Sequence, residues 1–164
     1  PGGYVFVTQG LYDLLSSEAE LAGVLGHAVA HVMLQHHLKV FKQSQAVALI
    51  GNVLAQTQSK SQLAQAAIGK GAEAVTRGLD KDAEFEADQV GVVLATRAGY
   101  EPYGLPGVLR KIGQRNPREA SLALLFKTHP LPQERLEKLG DVMGDSFDRY
   151  AGAKALPERF RRRE

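Results

Sequence analysis

Cysteine is absent from the 164 residues of this sequence. Its absence excludes thiolate zinc fingers, iron–sulfur clusters and a cysteine nucleophile, so any bound metal has to be held by histidine, aspartate or glutamate. A reducing cytoplasm and a cysteine-poor periplasm both fit this composition. Long apolar runs are also lacking, since the longest stretches, residues 46–54 and 91–95, fall well short of the ~18 residues that cross a bilayer. We therefore predict no transmembrane segment.

The sequence has little net charge, a formal +2, and its basic excess is concentrated at the end of the chain. We interpret this run as the solvated end of a terminal helix; it consists of Arg159, Arg161, Arg162 and Arg163. The rest of the chain shows no basic face with interleaved aromatic residues, so nucleic acid is not a predicted partner. Hydrophobic residues make up 44% of the chain, enough to bury the core of a single domain spanning residues 1–164.

β-Branched and aromatic residues are concentrated in one short segment, residues 4–8, which follows a Pro-Gly-Gly turn and predicts a strand. The remainder has a helical pattern. Ser17 and Glu20 have the spacing of a capping box and predict the start of a helix through residues 21–34. Gly99 is placed to end another helix. Further helices are predicted at about residues 41–56, 82–97, 105–114, 118–127 and 132–143, and residues 62–76 are predicted to form an amphipathic helix or a mobile segment.

The predicted fold class is mostly α (α+β), a helical domain with a small edge sheet. One strand among many helices is unbalanced for a complete domain, and the sequence opens on Pro1 without a starting methionine or a signal-like segment. We therefore expect a fragment whose N-terminal remainder, including upstream strands, is missing from the sequence.

Two histidines, His27 and His31, are four residues apart within a strongly helical segment. Both imidazoles therefore project from one face of the helix, about one turn apart, and can reach one metal ion. A pair of this kind is unremarkable in a sequence with five histidines. The pattern alone leaves a metal site and an ordinary helical surface as alternatives.

Two carboxylates, Glu84 and Asp88, share one face of the helix predicted at residues 82–97. Two neutral imidazoles and one carboxylate form a three-ligand set of catalytic zinc sites, which leaves a fourth position for water or substrate. Asp88 can accept a hydrogen bond from the outer nitrogen of a ligand histidine. Glu86 is rotated by roughly 200° from Glu84, and we interpret it, together with Asp82, as part of a solvated helix face.

Four segments together resemble the gluzincin (zincin-like) metallopeptidases of metallopeptidase family forty-eight, and the resemblance covers nearly the whole chain. The segments occur in the order expected of that family. They are Pro1-Gly2-Gly3-Tyr4-Val5-Phe6-Val7-Thr8, Leu21-Ala22-Gly23-Val24-Leu25-Gly26-His27-Ala28-Val29-Ala30-His31, Glu84-Phe85-Glu86-Ala87-Asp88 and Thr128-His129-Pro130.

The resemblance implies that the chain holds one Zn²⁺ through His27, His31 and Glu84, with Asp88 supporting a ligand histidine. It also implies that two further side chains, His129 and Arg135, lie at the active-site cleft, where they contact the metal, the substrate or the developing oxyanion. An ordinary loop histidine is the alternative for His129. The remaining histidines, His36 and His37, match no ligand position, and we interpret them as a solvated helix end.

The sequence departs from the family pattern at Ala28. The family has glutamate immediately after the first histidine, where it takes a proton from the attacking water and passes it to the leaving amine. Its absence predicts a severe loss of hydrolysis with the three ligands intact, because a general base typically contributes ~10²–10⁴-fold. A deliberate replacement of the glutamate and a natural pseudopeptidase are the two explanations.

The resemblance implies a zinc-dependent endopeptidase acting on polypeptides, here in an inactive form. An extended substrate is expected to lie along the predicted strand, on Tyr4, Val5, Phe6 and Val7. Polar residues between the two zinc motifs favour the branch of the family without a transmembrane hairpin. That branch implies quality control of envelope proteins in the bacterial periplasm or at the periplasmic face of the outer membrane. The alternatives are a zinc-containing binding module or chaperone, and a metal-free helical structural domain.

Overall fold

The computed structural model of the protein describes residues 3–42, 45, 81–129, 131–150 and 152–160. This part is mostly helical, as predicted, and none of its helices combines the length and the apolar character that a membrane span requires. Outside it lie Arg161 to Arg163, the helix or mobile segment predicted at residues 62–76 and nearly all of the helix predicted at 41–56. The helices are α1 (Gln9–Leu14), α2 (Glu18–Met33), α3 (described at residues 36–42), α4 (described at 81–97), α5 (Gly104–Gly113), α6 (Ala123–Thr128) and α7 (Pro132–Met143), followed by a 3-10 helix at Gly144–Tyr150.

Two helix boundaries lie where signals in the sequence place them. Ser17 is the N-cap of α2, and its hydroxyl accepts a hydrogen bond from the amide of Glu20 at 3.2 Å. The Glu20 carboxylate accepts one from the amide of Ser16 at 2.6 Å, one residue further back than in a capping box. After α4 the chain turns at Gly99, whose φ of 88° is a left-handed conformation that glycine adopts without strain. Both predicted boundaries are confirmed.

The segment of residues 4–8 is not the predicted strand within the part of the chain that the structure describes. Its side chains are exposed except for that of Val7, which is partly buried, and the exposed fractions of Tyr4 and Phe6 are 79% and 91%. A strand needs a neighbour for its backbone hydrogen bonds, and the one β-type contact among described residues is an isolated parallel bridge between Tyr100 and Lys154. The β-propensity of the segment is local and supplies no such neighbour, so the described residues do not form the small edge sheet.

Helix α5 contributes to two adjacent hydrophobic clusters through one apolar stripe. Val24 of α2 packs against the first cluster, and Val92 of α4 belongs to the second. Full burial of an aliphatic side chain contributes about 1.5–3 kcal/mol relative to exposure, so these contacts hold α2, α4 and α7 around α5. The buried members are Leu11, Leu14, Leu15, Val108, Ile112 and Leu122 in the first cluster and Val92, Leu105, Leu109, Leu139 and Met143 in the second.

Helices α2 and α4 approach closely because glycine occupies both sides of their contact. A Cβ atom added at Gly26 would lie 2.6 Å from the carbonyl oxygen of Gly91. One added at Gly91 would lie 2.7 Å from the amide nitrogen of His27. These distances leave no room for a side chain, so the two glycines set the separation of the backbones that carry His27 and Glu84.

Replacing Gly26 by alanine is expected to lower the free energy of unfolding by about 1–3 kcal/mol, because the added methyl group forces two helix backbones apart. Gly140 in α7 is the matched control, since nothing lies within 4 Å of a Cβ atom added there. Gly140→Ala should stabilise the chain by about 0.5–1 kcal/mol through helix propensity alone. Urea unfolding measures both changes, and shifts of the same sign would contradict the close approach.

Candidate metal centre

Four side chains that can bind metal converge where α2, α4 and the end of α6 meet. They are His27, His31, Glu84 and His129, and their ligand atoms all lie within 4.8 Å of one another. His129 is the C-cap residue of α6. The sequence predicted the first three as ligands and placed His129 at the cleft, and the structure brings all four together.

The distances between these atoms suit a tetrahedral ion. With Zn–N bonds of about 2.0–2.1 Å, tetrahedral ligands lie about 3.3 Å apart. The Nε2 atom of His27 lies 3.1 Å from Nε2 of His31 and 3.7 Å from Oε2 of Glu84, while Nε2 of His31 lies 3.2 Å from Oε1 of Glu84. His129 Nδ1 lies 3.4 Å from His27 Nε2 and 2.9 Å from Glu84 Oε1. Imidazole and carboxylate together are a donor set that suits zinc.

A buried network of ion pairs and hydrogen bonds holds two of the clustered side chains, His27 and Glu84, in position. Asp88, 1% exposed, lies with Oδ1 2.8 Å from Nδ1 of His27. Arg135, 4% exposed, donates to both carboxylate oxygens of Asp88 at 2.6 and 2.7 Å. A third guanidinium nitrogen lies 2.8 Å from Oε2 of Glu84. Arg135 therefore bridges two carboxylates of α4, and its side chain lines a cavity beside the four clustered side chains.

The protonation states of the centre follow from this network. Burial alone would raise the pKa of Glu84, but the hydrogen bond from His129 and the charge of Arg135 outweigh it and hold that pKa well below its usual range. Burial also acts to raise the pKa of Asp88, and hydrogen bonds from Arg135 and His27 reverse the effect and lower it.

Burial lowers the pKa of His27 despite its hydrogen bond to Asp88. The imidazole is therefore neutral at neutral pH, and its 2.8 Å contact with Asp88 is a hydrogen bond from Nδ1 rather than an ion pair. Neutral imidazole and ionised carboxylate are the states that metal ligands require.

The sequence missed one buried histidine and its partner. The interpretation of His36 as part of a solvated helix end is wrong, because His36 is 4% exposed and its ring contacts Nδ1 of His31 at 3.0 Å. Glu86, assigned to a solvated face, is half exposed but lies 3.0 Å from Nε2 of His36. His37 is exposed, as interpreted.

A cavity of about 400 Å³ adjoins the four-residue cluster, with all four of its side chains in the wall. Ala28 lines it next to His27, so a side chain at position 28 borders the same cavity as the four metal-binding side chains. Of the predicted substrate-binding residues, Val5, Phe6 and Val7 line the cavity, and Tyr4 is not part of its wall. The polar cluster thus lies at one side of a cavity whose remaining wall is largely apolar.

The profile of peptidase family M48 matches residues 1–142, and the chain belongs to this family of metallopeptidases. Membership in a metallopeptidase family implies a metal cofactor, and the His/Glu cluster could bind one.

Individual relatives include the beta-barrel assembly-enhancing protease of Yersinia pestis, 28% identical over 144 residues that cover 82% of this chain and 29% of that protein. Metalloprotease YcaL of Escherichia coli is 31% identical over 141 residues, covering 85% of this chain and 54% of that protein. The mitochondrial metalloendopeptidase OMA1 of Arabidopsis thaliana is 28% identical over 157 residues, covering 94% of this chain and 31% of that protein. The chain therefore spans between 29% and 54% of the length of these relatives. No solved structure gives a significant match.

Proposed function

We propose that the chain is the zinc-binding domain of an endopeptidase, and that with alanine at position 28 it binds the metal but hydrolyses little. The donor set carries the proposal. Two imidazole nitrogens lie 3.1 Å apart, and they lie 3.2 and 3.7 Å from the two oxygens of the Glu84 carboxylate, close to the spacing of three ligands around one tetrahedral Zn²⁺. We assign His27, His31 and Glu84 as these ligands.

Each remaining group of the centre has a defined task in this proposal. A zinc ion bound here would supply Lewis acidity toward a substrate carbonyl and an attacking water. Asp88 accepts a hydrogen bond from Nδ1 of His27, so that the Nε2 lone pair of this imidazole faces the metal position. Arg135 orients the Asp88 and Glu84 carboxylates and balances their charge. His129, with 32% of its side chain exposed, is the most accessible of the four clustered groups, and we assign it to substrate and to the developing oxyanion.

The group missing from this set is a general base. The methyl group of Ala28 accepts no proton, and the two buried carboxylates of the centre, Glu84 and Asp88, are already held by Arg135 and by imidazoles. A base at the catalytic water typically contributes ~10²–10⁴-fold to the rate. We therefore propose that the metal site and the hydrolytic activity are separable in this chain, and that position 28 alone separates them.

The proposed substrate is an extended segment of an unfolded or unassembled polypeptide. Residues 4–7 make no backbone hydrogen bond to another described residue, so within the described part of the chain their amide and carbonyl groups are available to pair with an added strand. Val5, Phe6 and Val7 line the cavity at the metal centre, which puts a chain paired with them within reach of the metal. Because two kinds of relative act in bacteria and one is named for β-barrel assembly, we propose envelope proteins as clients and the periplasm as the compartment.

A second function, a zinc-containing binding module or chaperone, is favoured by Ala28 itself. Such a module would hold unfolded segments in the same cavity without cleaving them. Cleavage of an unfolded polypeptide such as casein by the Ala28→Glu variant, with zinc and with a chelator, distinguishes the two. The peptidase proposal expects cleavage that needs both the glutamate and zinc, whereas the binding module expects retention of the polypeptide without cleavage in either chain.

A further inference from the structure

The outer nitrogens of the two assigned ligand histidines have different partners. Nδ1 of His27 lies 2.8 Å from the carboxylate of Asp88. Nδ1 of His31 lies 3.0 Å from Nδ1 of another imidazole, His36, whose Nε2 lies 3.0 Å from Oε2 of Glu86. A chain of two hydrogen bonds therefore leads from the metal centre through a buried histidine to a carboxylate at the surface.

The carboxylate at the end of this chain determines where the hydrogens lie. An ionised carboxylate only accepts hydrogen bonds, so Nε2 of a neutral His36 carries the hydrogen that it donates to Glu86. Nδ1 of His36 then has a lone pair and accepts a hydrogen bond from Nδ1 of His31. With its hydrogen on Nδ1, His31 presents the Nε2 lone pair to the metal position, which is the form that a zinc ligand requires.

The backbone between α2 and α3 is shaped to bring His36 onto His31. In a continuous helix a residue five positions after His31 would be rotated by about 140° away from it. Helix α2 instead ends at Met33, and Gln35 has φ of 56°, a left-handed conformation uncommon for residues other than glycine. Backbone strain of this kind persists where surrounding contacts determine it. Here the turn returns the chain so that the first residue of α3 faces the metal centre.

We propose that His36 and Glu86 are positioning residues of the metal centre, which fix the tautomer and ring orientation of His31 as Asp88 does for His27. The inference rests on the proposed zinc site and extends it to a residue pair on α3 and α4. Partners of this type, one step removed from the metal, typically change metal affinity by about 10–100-fold when they are removed.

The first test measures Zn²⁺ affinity of the whole chain by competition with a chromogenic chelator, at about pH 8, where ordinary imidazoles are neutral. His36→Leu fills the space but removes the acceptor, and we expect binding about 10–100-fold weaker. His36→Asn places a carbonyl oxygen near the position of Nδ1 and is expected to recover most of that loss. His37→Leu, at the exposed neighbouring histidine, is the matched control and should leave the affinity unchanged.

Glu86 is tested through its dependence on His36. Glu86→Ala should weaken zinc binding in the chain that carries His36 and have no further effect in the His36→Leu background, because the carboxylate acts through the imidazole. Asp82→Ala removes another exposed carboxylate of α4 and is the matched control. Additive effects of the Glu86 and His36 substitutions would show that the two residues do not act as one chain, and would overturn that part of the inference.

A spectroscopic readout separates positioning from space filling. In the zinc-loaded chain the Nδ1 hydrogens of His27 and His31 are both hydrogen-bonded and are expected downfield in ¹H–¹⁵N spectra of the imidazoles. His36→Leu should move the His31 signal upfield and leave the His27 signal in place. An unmoved His31 signal, or an unchanged zinc affinity in His36→Leu, overturns the inference alone. Failure of the unmodified chain to bind zinc overturns the proposed function together with it.

Discussion

Replacement of Ala28 by glutamate is expected to raise the rate of zinc-dependent cleavage of an unfolded polypeptide by about 10²–10⁴-fold, the usual contribution of a general base. The side chain of Ala28 borders the cavity of about 400 Å³ beside His27, so a longer side chain at this position has space to extend into the cavity that the metal-binding side chains also line. The measurement is the initial rate of cleavage with equal zinc loading of both chains, so that the comparison reports proton transfer rather than metal affinity.

The control for this gain is Ala28→Gln, which adds nearly the same volume and a carbonyl acceptor but does not carry a proton between water and the leaving amine. We expect this variant to remain at the level of the unmodified chain. If the glutamate and glutamine variants cleave at the same low rate with zinc bound, the catalytic part of the proposal is wrong and the binding-module alternative is favoured.

Substitution of Arg135 by methionine is expected to lower the free energy of unfolding of the metal-free chain by about 3–5 kcal/mol, because removing one partner of a buried ion pair leaves uncompensated charge. Arg135, Glu84 and Asp88 are each at most 4% exposed, and the guanidinium lies within 2.8 Å of both carboxylates. A loss of this size is a large fraction of the 5–15 kcal/mol that typically stabilises a domain. Denaturant unfolding in the presence of a chelator measures it without a contribution from metal binding.

An exposed ion pair on the same two helices provides the comparison. Lys81 of α4 lies 3.1 Å from Glu134 of α7, and their side chains are 44% and 49% exposed. Lys81→Met should change the unfolding free energy by at most about 1 kcal/mol, since solvent screens such pairs. Equal effects of the Arg135 and Lys81 substitutions would contradict the buried network.

Helical period accounts for two residue pairs of the centre, whereas His129 and Arg135 were predicted from the resemblance to the family alone. His27 and His31 lie one turn apart on α2, and Glu84 and Asp88 one turn apart on α4, so each pair shares a face wherever the helices lie. The order of the four motifs then indicated that the two faces meet. The structure brings them together, with Asp88 on the outer nitrogen of His27.

The parts that sequence did not predict depend on contacts between distant segments or on one unusual backbone angle. His36 faces His31 only because Gln35 adopts φ of 56°, and nothing in the residue type of Gln35 indicates a left-handed turn. The strand predicted at residues 4–8 failed for a related reason, since β-propensity is local while pairing requires a neighbour. In both cases the missing information is tertiary.

The contact between Gly26 and Gly91 is another feature that the sequence does not predict, because it depends on how two helices pack together. Glycine within a helix normally lowers helix stability by about 0.5–1 kcal/mol relative to alanine. From the sequence alone, each of the two glycines is therefore expected only to destabilise its own helix. Together they allow α2 and α4 to approach so closely that a Cβ atom added at Gly26 would lie 2.6 Å from the carbonyl oxygen of Gly91. Their role in helix packing becomes evident only when the relative positions of α2 and α4 are known.

The zinc content of the purified chain tests the central claim most directly. The chain is loaded with excess Zn²⁺, dialysed against metal-free buffer and measured by elemental analysis beside Glu84→Gln, which removes the carboxylate ligand but keeps the size of the side chain. The proposed site predicts one zinc per unmodified chain and a clear loss of zinc in Glu84→Gln, with Ala28 present in both. Absence of zinc from the unmodified chain, or equal zinc in the two, would contradict it.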